Sequence, residues 1–324
     1  MKKSTIFKRA ELAVVLGSIM LIAIFSIVTR GIWLSRANLV IVVRIAAQLG
    51  IIAAGQALLI ISREIDLSVG SVYAFAAVIY IILSTQLNTA LSFPITLLIV
   101  LGIGFINGFL VLKVGIPSLI TTLGSLYIFR GLVYYLTKGF GVSLPSGQRH
   151  TFLVNMLGGA DIGGLSTIIP WFIGITIVME IILERTKYGN HIYAVGGDPI
   201  SASSQGISPI RTKWIAFLIC SVLAGFAGIG TVSIMKMANT TLGTGLELES
   251  IASCVIGGVA LTGGRGTIWG AAVGAFLLST VRSGLILMGA PAYWFISFVG
   301  IALIAAAALN YLTQRAKGQR FGGI

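Results

Sequence analysis

Long apolar runs separated by short polar segments make up most of this chain. Most of the runs approach the length of about 20 residues that an α-helix needs to cross a bilayer. They lack the strict alternation of the short strands in a membrane β-barrel. The pattern therefore predicts an all-α polytopic membrane protein with about ten transmembrane helices. The expected spans are 12–28, 39–61, 70–84, 91–112, 117–136, 167–183, 212–234, 248–261, 267–288 and 292–312.

The composition excludes a soluble protein. Hydrophobic residues make up 56% of the 324 residues and charged residues only 10%, whereas a soluble domain carries about 25% charged residues. Intrinsic disorder is excluded as well, because a disordered chain needs low hydropathy and a high density of charge. A chain this apolar uses lipid as its solvent.

The charge balance of +13, from 22 Lys and Arg against 9 Asp and Glu, predicts the orientation. Membrane proteins keep Lys and Arg in their cytoplasmic loops. With ten spans and a cytoplasmic N-terminus, most of these cations fall in cytoplasmic segments, while Arg44, Arg130 and Arg282 fall within spans. We therefore expect one transmembrane domain over residues 1–324 with both termini in the cytoplasm. Its cytoplasmic parts are the N-terminal segment 1–11, the loop 185–213 and the tail 313–324.

Two of the expected spans, 70–84 and 248–261, are shorter than the roughly 17 residues that a crossing needs. Either both cross with help from flanking residues, or both are re-entrant. One of them lies in each half of the chain. Short, glycine-interrupted segments in corresponding positions of two halves point to a transport pathway.

Residues 62–71 place Arg63, Glu64 and Asp66 between two apolar spans. Asp66, followed by Ser68 and a glycine, predicts that a helix ends here and that another begins with Asp66 or Ser68 as its N-cap. The functional interpretation is a broken helix that lines a pathway. The alternative is a capped cytoplasmic turn with a local Arg63–Glu64 charge pair, and the sequence leaves both open.

Residues 242–249 place Glu247 and Glu249 after two glycines, on the expected outer side. These carboxylates are candidates for receiving a docking partner or a polar solute. The alternative is that they lie in the first turn of a helix, where the helix dipole favours acidic residues; we favour it for Glu249 and leave Glu247 open. A third polar candidate, Asn107, lies inside a span and either bonds across helices or lines a pathway.

The loop 188–213 is the longest cytoplasmic one, and it contains a helix signature. Asp198 suits the N-cap, Pro199 the first helical position and Gly206 the residue past the end. We expect a two-turn helix on the cytoplasmic face, and we favour a docking element for a partner over a plain connector. The candidate residues are Gly196, Gly197, Asp198, Pro199, Ala202, Ser203 and Gly206.

The residues needed for other kinds of chemistry are missing. His150 and His191 fall on opposite sides of the membrane, and Cys220 and Cys254 lie in apolar stretches, so we expect no metal site and no cofactor. No Gly-Lys dipeptide occurs, so no Walker A loop is present. Glycines 263, 264 and 266 have no preceding strand, and the spacing of Gly270 and Gly274 is typical of close helix packing.

Several motifs occur together in a set order. They are Ile65-Asp-Leu-Ser-Val-Gly-Ser71, Asn107-Gly-Phe-Leu-Val111, Ile116-Pro117, Thr122-Leu-Gly124, Tyr193-Ala-Val-Gly-Gly197, Gly243-Thr-Gly-Leu-Glu247, Ile251-Ala, Val255-Ile-Gly-Gly258 and Gly263-Gly-Arg-Gly266. In this order they resemble the permease subunits of bacterial ABC importers for monosaccharides, the group of the ribose, xylose, rhamnose and autoinducer-2 systems. Two features depart from the family: Arg63-Glu64 stands where Gly or Ser-Gly is frequent, and Gln56 stands where an apolar residue is usual.

The resemblance implies a fold similar to the vitamin B12 importer, with ten helices in two pseudo-symmetric halves, in the bacterial inner membrane. It implies a second permease subunit, ATP-binding subunits that dock at the loop around Asp198–Gly206, and a periplasmic sugar-binding protein. The chain itself is then not an enzyme. The residues expected to line the translocation pathway are Gln56, Glu64, Asp66, Ser68, Asn107 and Glu247.

The sequence therefore favours the permease subunit of an ABC importer for a pentose or a related sugar. The alternative is an ion- or proton-coupled secondary transporter of a small polar solute. That alternative needs carboxylates in the middle of a span, and the predicted spans place Glu180 and Glu184 only near an end. An intramembrane enzyme would need paired catalytic groups, and the sequence shows none.

Overall fold

The fold is known from a computed structural model that describes residues 5–291 and 293–316, with side chains over 14–161, 163–291 and 293–308. Residues 1–4 of the expected N-terminal segment and 317–324 of the expected tail lie outside the described residues, as does Ala292 in the last expected span. The described residues are predominantly helical. The expected all-α polytopic class is confirmed.

Thirteen α-helices occur within the described residues. They are α1 Thr5–Val28, α2 Arg36–Ile61, α3 Val69–Gln86, α4 Thr89–Phe109, α5 Ser118–Thr137, α6 Phe152–Val154, α7 Ile168–Arg185, α8 Lys187–Gly197, α9 Pro199–Ser204, α10 Pro209–Met235, α11 Leu246–Ile256, α12 Ile268–Leu287 and α13 Trp294–Ala316. A π-helical segment, Leu110–Val114, extends α4. Short 3-10 helices lie at Ile32–Leu34 and Ser146–Gln148, and a second π-helical segment lies at Asn155–Gly159. Two antiparallel pairs of two-residue strands are also present: β1 Val142–Ser143 pairs with β4 Met237–Ala238, and β2 Asp161–Ile162 with β3 Leu165–Ser166.

Six of these helices are long and apolar enough to cross a membrane, namely α2, α3, α4 with its extension, α5, α10 and α12. The described apolar parts of α1 and α13 are shorter, Val14–Val28 and Trp294–Ala308. Helix α7 has 18 residues but carries Glu180, Glu184 and Arg185 towards its end. The two short expected spans differ from each other: run 70–84 lies in the 18-residue α3, whereas run 248–261 contains most of the 11-residue α11.

Helix α11 ends early because glycines follow it. Gly258 has φ +92°, a left-handed conformation that stops a helix. A Cβ on Gly257 would overlap the carbonyl of Gly270 in α12, and one on Gly274 would overlap the carbonyl of Ser253. The predicted packing role of Gly270 and Gly274 is confirmed, since both allow α12 to approach α11 backbone to backbone.

Helix α10 lies in the centre and packs on α2, α3 and α4. Its contacts also depend on glycines: a Cβ on Gly55 would meet the Cα of Cys220, and one on Gly228 would overlap the carbonyl of Tyr73. At the periphery, large apolar side chains of α1, α5 and α13 are exposed, among them Ile27, Tyr127 and Ile304. Such a surface suits lipid rather than water.

The contacts along α10 show that α3 begins deep inside the protein. Gly55, close to the end of α2, packs at Cys220, whereas Tyr73, in the second turn of α3, packs about 12 Å further along α10 at Gly228.

Gln56, five residues before the end of α2, faces the backbone of Asp66, so the chain has turned back alongside α2 before α3 begins. The segment 62–68 therefore runs from the end of α2 into the protein interior, beside α10. The segment lies at the surface at Arg63 and in the interior at the buried Asp66 and Ser68.

Candidate functional site

Asp66 organises the segment before α3. Its side chain is fully buried, and Oδ1 accepts hydrogen bonds from the Ser68 N–H at 2.7 Å and from Ser68 Oγ at 2.6 Å. An aspartate that bonds the backbone two residues ahead forms a tight local turn. Helix α3 starts directly after this turn, at Val69.

Three further buried polar residues surround the turn. Asn107 Nδ2 in α4 donates to Ser68 Oγ at 3.1 Å. The Gln56 amide in α2 faces the backbone of Asp66; in the orientation that satisfies both atoms, it donates to the Asp66 carbonyl and accepts from the Asp66 N–H, each at 3.2 Å. Thr122 Oγ1 in α5 accepts from the N–H of Leu67 at 3.0 Å.

The structure thus brings together four of the six expected pathway residues, Gln56, Asp66, Ser68 and Asn107. Sequence reasoning did not single out Thr122 as a member, although the residue lies in one of the motifs that carry the resemblance. A single Thr in an apolar helix has no local feature that reveals its partner. We refer to Gln56, Asp66, Ser68, Asn107 and Thr122 as the Asp66 cluster.

Glu247 lies next to the start of α3. A Cβ on Gly70 would overlap Glu247 Oε2, while Glu247 Oε1 accepts from the Gly245 N–H at 3.2 Å. Gly243, with φ +76°, lies against the carbonyl of Gly70. The carboxylate therefore lies in the first turn of its own helix, α11, and also beside the first turn of α3, both of which favour negative charge.

This contact corrects the expected separation of two segments. The sequence placed residues 242–249 on the outer side and residues 62–71 at a cytoplasmic edge, but a Cβ on Gly70 would overlap Glu247, so the two segments do not lie on opposite sides. Arg130 of α5 holds the second segment, because its Nη1 donates to the carbonyl of Leu242 at 2.6 Å. The N-termini of the two helices that correspond to the short runs therefore face a common region.

Glu249 forms a buried ion pair. Its Oε1 accepts from Arg282 Nη2 at 2.5 Å, and the guanidinium also lies 4.2 Å above the ring of Phe295. Glu249 is 8% exposed, so it does not present itself to a docking partner. The interpretation of Glu249 as an acidic residue in the first turn of a helix is confirmed.

Glu64 does not join the Asp66 cluster. Its Oε1 accepts from Lys213 Nζ at 2.5 Å, an ion pair that fixes the start of α10. The alternative of an Arg63–Glu64 pair is wrong. Arg63 instead donates from Nε to the carbonyl of Thr262 and from Nη2 to the carbonyl of Gly197, at 2.8 Å each.

The helix predicted after Asp198 is present as α9. Asp198 Oδ1 accepts from the Ile200 N–H at 3.0 Å, Oδ2 accepts from Ser201 Oγ at 2.6 Å, and Pro199 occupies the first turn. The hydrogen bonds from Ser201 and Ile200 lower the pKa of Asp198. Gly206 has φ +80°, as expected for the residue that follows a helix.

The exposure of α9 separates its residues into two sets. Ala202 is 4% exposed and faces the protein, whereas Ser203 is exposed. Ile200 is 79% exposed. Sequence reasoning missed Ile200, although an apolar residue in the first turn of a capped, surface-exposed helix is a usable signal for a docking contact.

The chain matches the family model described as "Branched-chain amino acid transport system / permease component" over residues 38–307. The chain belongs to this family of transport permeases. It is 34% identical over 300 residues to the autoinducer 2 import system permease protein LsrC of Photorhabdus luminescens, covering 91% of this chain and 88% of the relative. No solved structure matches the chain.

Two other relatives carry the same name. LsrC of Escherichia coli is 34% identical over 300 residues, which cover 91% of this chain and 85% of the relative. LsrC of Salmonella paratyphi B is 34% identical over 278 residues, which cover 84% and 78%. The expected resemblance to permease subunits of ABC importers of the sugar type is confirmed. The chain is a multi-pass inner-membrane subunit of a transporter.

Proposed function

We propose that this chain forms, together with a second permease subunit, the translocation pathway of an ABC importer for a monosaccharide. The observation that carries the proposal is the meeting of α3 and α11, whose N-termini approach each other at Gly70 and Glu247 in the protein interior. Transporters place substrate at such interruptions, where helix ends and side chains supply polar partners inside an apolar protein.

The residues at this meeting point suit a neutral, hydroxyl-rich solute. The Asp66 cluster offers amide, hydroxyl and carboxylate groups, and Glu247 adds a carboxylate that has one buried oxygen without a protein partner. A carboxylate accepts hydrogen bonds from sugar hydroxyls. A pentose or a related sugar fits this chemistry, and the autoinducer 2 named for the relatives is a second candidate.

The expected partners follow from the same proposal. The exposed α9 is the docking element for an ATP-binding subunit, with Ile200 as its apolar contact, and a periplasmic binding protein delivers the solute. Both termini then lie in the cytoplasm, and the fold has ten membrane helices in the arrangement of the vitamin B12 importer. The halves correspond in one respect that supports this: each contains a helix that begins in the interior, α3 and α11.

A proton-coupled secondary transporter is less compatible with the contacts. The buried carboxylate of Glu249 is already paired with Arg282, and Asp66 accepts two hydrogen bonds from Ser68. A proton-coupling carboxylate has to exchange its proton during transport. The ion pair with Arg282 opposes that exchange at Glu249, and the two hydrogen bonds from Ser68 oppose it at Asp66 Oδ1, although Asp66 Oδ2 is buried without a protein partner.

The test is purification in mild detergent followed by uptake. We expect an ATP-binding protein to co-purify with the chain. Proteoliposomes that contain this complex and the binding protein should accumulate one of a panel of labelled solutes (ribose, xylose, rhamnose and autoinducer 2) only with ATP inside. Accumulation driven by a proton gradient without ATP would contradict the proposal, as would a chain that transports without a partner.

A further inference from the structure

Arg63 has an unusual backbone conformation. Its φ is +68°, in the left-handed region that side chains other than glycine rarely adopt. The left-handed residue ends α2, because the Arg63 N–H donates to the carbonyl of Ile60 at 3.0 Å and the Glu64 N–H donates to the carbonyl of Leu59 at 2.9 Å. A glycine would suit this backbone, so the arginine side chain and its two hydrogen bonds call for a separate explanation.

The two hydrogen bonds of Arg63 reach different parts of the chain. Nη2 bonds Gly197, the last residue of α8 before α9, and Nε bonds Thr262, in the glycine-rich turn after α11. A planar guanidinium presents its N–H groups in a fixed fork, which holds two acceptors in a defined relative position. Arg63 is exposed, so its guanidinium makes both hydrogen bonds at the protein surface, where water is also accessible.

Backbone contacts join the same three segments. The Gly264 N–H donates to the carbonyl of Ile61 at 2.8 Å. A Cβ on Gly196 would overlap the Ile61 carbonyl, and a Cβ on Gly263 would overlap the side chain of Arg63. We call residues 61–63, 196–198 and 262–264 the Arg63 junction.

Each segment of the Arg63 junction leads to a functional element. Residues 196–198 lead into α9, where Asp198 caps the helix and the charge of Arg63 is one of the lesser causes of its lowered pKa. Residues 61–63 lead up to Asp66. Residues 262–264 follow α11, whose other end carries Glu247.

We propose that Arg63 is a positioning residue for transport: it makes the docking helix α9, the segment that leads to Asp66 and the end of α11 move as one body. A displacement of α9 by the ATP-binding subunit then reaches both helix starts that meet at Gly70 and Glu247. This inference rests on the proposed function, because it needs a partner that moves α9.

The first test uses Arg63→Gly. Glycine adopts φ +68° without strain, so this variant removes both hydrogen bonds and should not lower the unfolding temperature of the complex. We expect it to reduce the solute transported per ATP hydrolysed at least fivefold, with ATP hydrolysis retained. Arg63→Lys keeps the positive charge but lacks the planar guanidinium. Its transport of solute per ATP hydrolysed should lie between those of Arg63→Gly and the wild type.

The matched control is Arg36→Ala. Arg36 Nη2 donates to the carbonyl of Gly163 at 2.7 Å, a comparable bond between an exposed arginine and a carbonyl that lies outside the Arg63 junction. Loss of this hydrogen bond should leave the amount of solute transported per ATP hydrolysed unchanged. An Arg63→Gly variant with the transport ratio of the wild type would overturn the inference, and so would a loss of uptake that merely follows a loss of folded protein.

A second measurement does not need the solute to be known. Hydrogen exchange is followed in segments 199–206 and 62–68 with and without the ATP-binding subunit. In the wild type, the subunit should slow exchange in both segments; in Arg63→Gly, only 199–206 should respond. A response of 62–68 that survives in Arg63→Gly overturns the inference alone, whereas a wild type in which 199–206 does not respond overturns the proposed docking and the inference with it.

Discussion

Gly70 and Glu247 lie in direct contact, so that no side chain larger than a hydrogen atom fits at residue 70. The contact joins the first turn of α3 to the first turn of α11. These two helices come from different halves of the chain, and their meeting defines the candidate pathway.

Replacing Gly70 by alanine should separate the two helix starts. The added methyl group would overlap Glu247 Oε2 and lie 2.5 Å from the Gly243 carbonyl. Overpacking of this kind costs about 1–3 kcal/mol. We expect a lower unfolding temperature and a loss of uptake.

The control for this variant is Gly102→Ala. Gly102 lies within α4, and a Cβ there would meet nothing within 4 Å. Its stability should be unchanged or slightly raised, because alanine favours helix over glycine. Equal behaviour of the two variants in thermal unfolding and uptake would show that the contact at Gly70 is unimportant.

The ion pair between Glu249 and Arg282 should be visible in a double-mutant cycle. Removing the carboxylate alone, in Glu249→Leu, leaves the Arg282 guanidinium without its partner; because this side chain is 28% exposed, the cost should lie below the value of about 3–5 kcal/mol for a fully buried pair. Replacing both residues by leucine should recover much of that loss. The measurement is chemical unfolding of the purified permease in detergent, and additive effects of the two substitutions would argue against a coupled pair.

Ile200 should dominate the attachment of the ATP-binding subunit. Its side chain is 79% exposed on α9, and an apolar anchor at an interface contributes about 2 kcal/mol, or roughly 30-fold in affinity. Ile200→Ala should weaken binding of the subunit by about that factor. Ile27→Ala is the control, since Ile27 is 78% exposed on α1, away from α9; equal loss of binding in both variants would remove the special role of Ile200.

The N-cap hydrogen bonds that Asp198 forms at the start of α9 should weaken at acidic pH. The hydrogen bonds from Ser201 and Ile200 lower the pKa of Asp198 below its ordinary value of 3.8. Because the folded state favours the ionised carboxylate, the stabilisation is present above pH 3.8 and is lost as the pH falls through the lowered pKa. Hydrogen exchange in 199–206, corrected for its intrinsic rate, should accelerate over that range.

Asp198→Asn tests the origin of this pH dependence. Asparagine is also a good N-cap but does not ionise. The variant should keep the protection of α9 at neutral pH and lose its dependence on acid. An unchanged acid response in Asp198→Asn would mean that another group titrates.

The sequence predicts the elements whose determinants are local. The break before α3 follows from Asp66 and Ser68, which bond each other, and α9 follows from Asp198, whose partners lie within three residues. Helix α9 could be derived from capping preferences alone, whereas Ser68 occupies the N-cap of α3 without a side-chain capping bond. The membrane class follows from composition in the same direct way.

Contacts between distant segments could not be predicted. Nothing near Glu64 indicates that Lys213 is its partner, and nothing near Arg63 indicates Gly197 or Thr262. The contact between Gly70 and Glu247 could not be predicted for a related reason. Hydropathy orders segments across the membrane but does not show that a segment turns back into the interior.

The most direct test of the account is the accessibility of one position at the meeting of the two helices. Leu67 lies between Asp66 and Ser68 and is partly buried. Leu67→Cys, with Cys220 and Cys254 replaced by alanine, is labelled with a small water-soluble thiol reagent in the complex that retains uptake. The account predicts that the labelling rate changes when ATP binds and that transported solute protects the cysteine. A cysteine that stays unreactive in every state would contradict a pathway at this point.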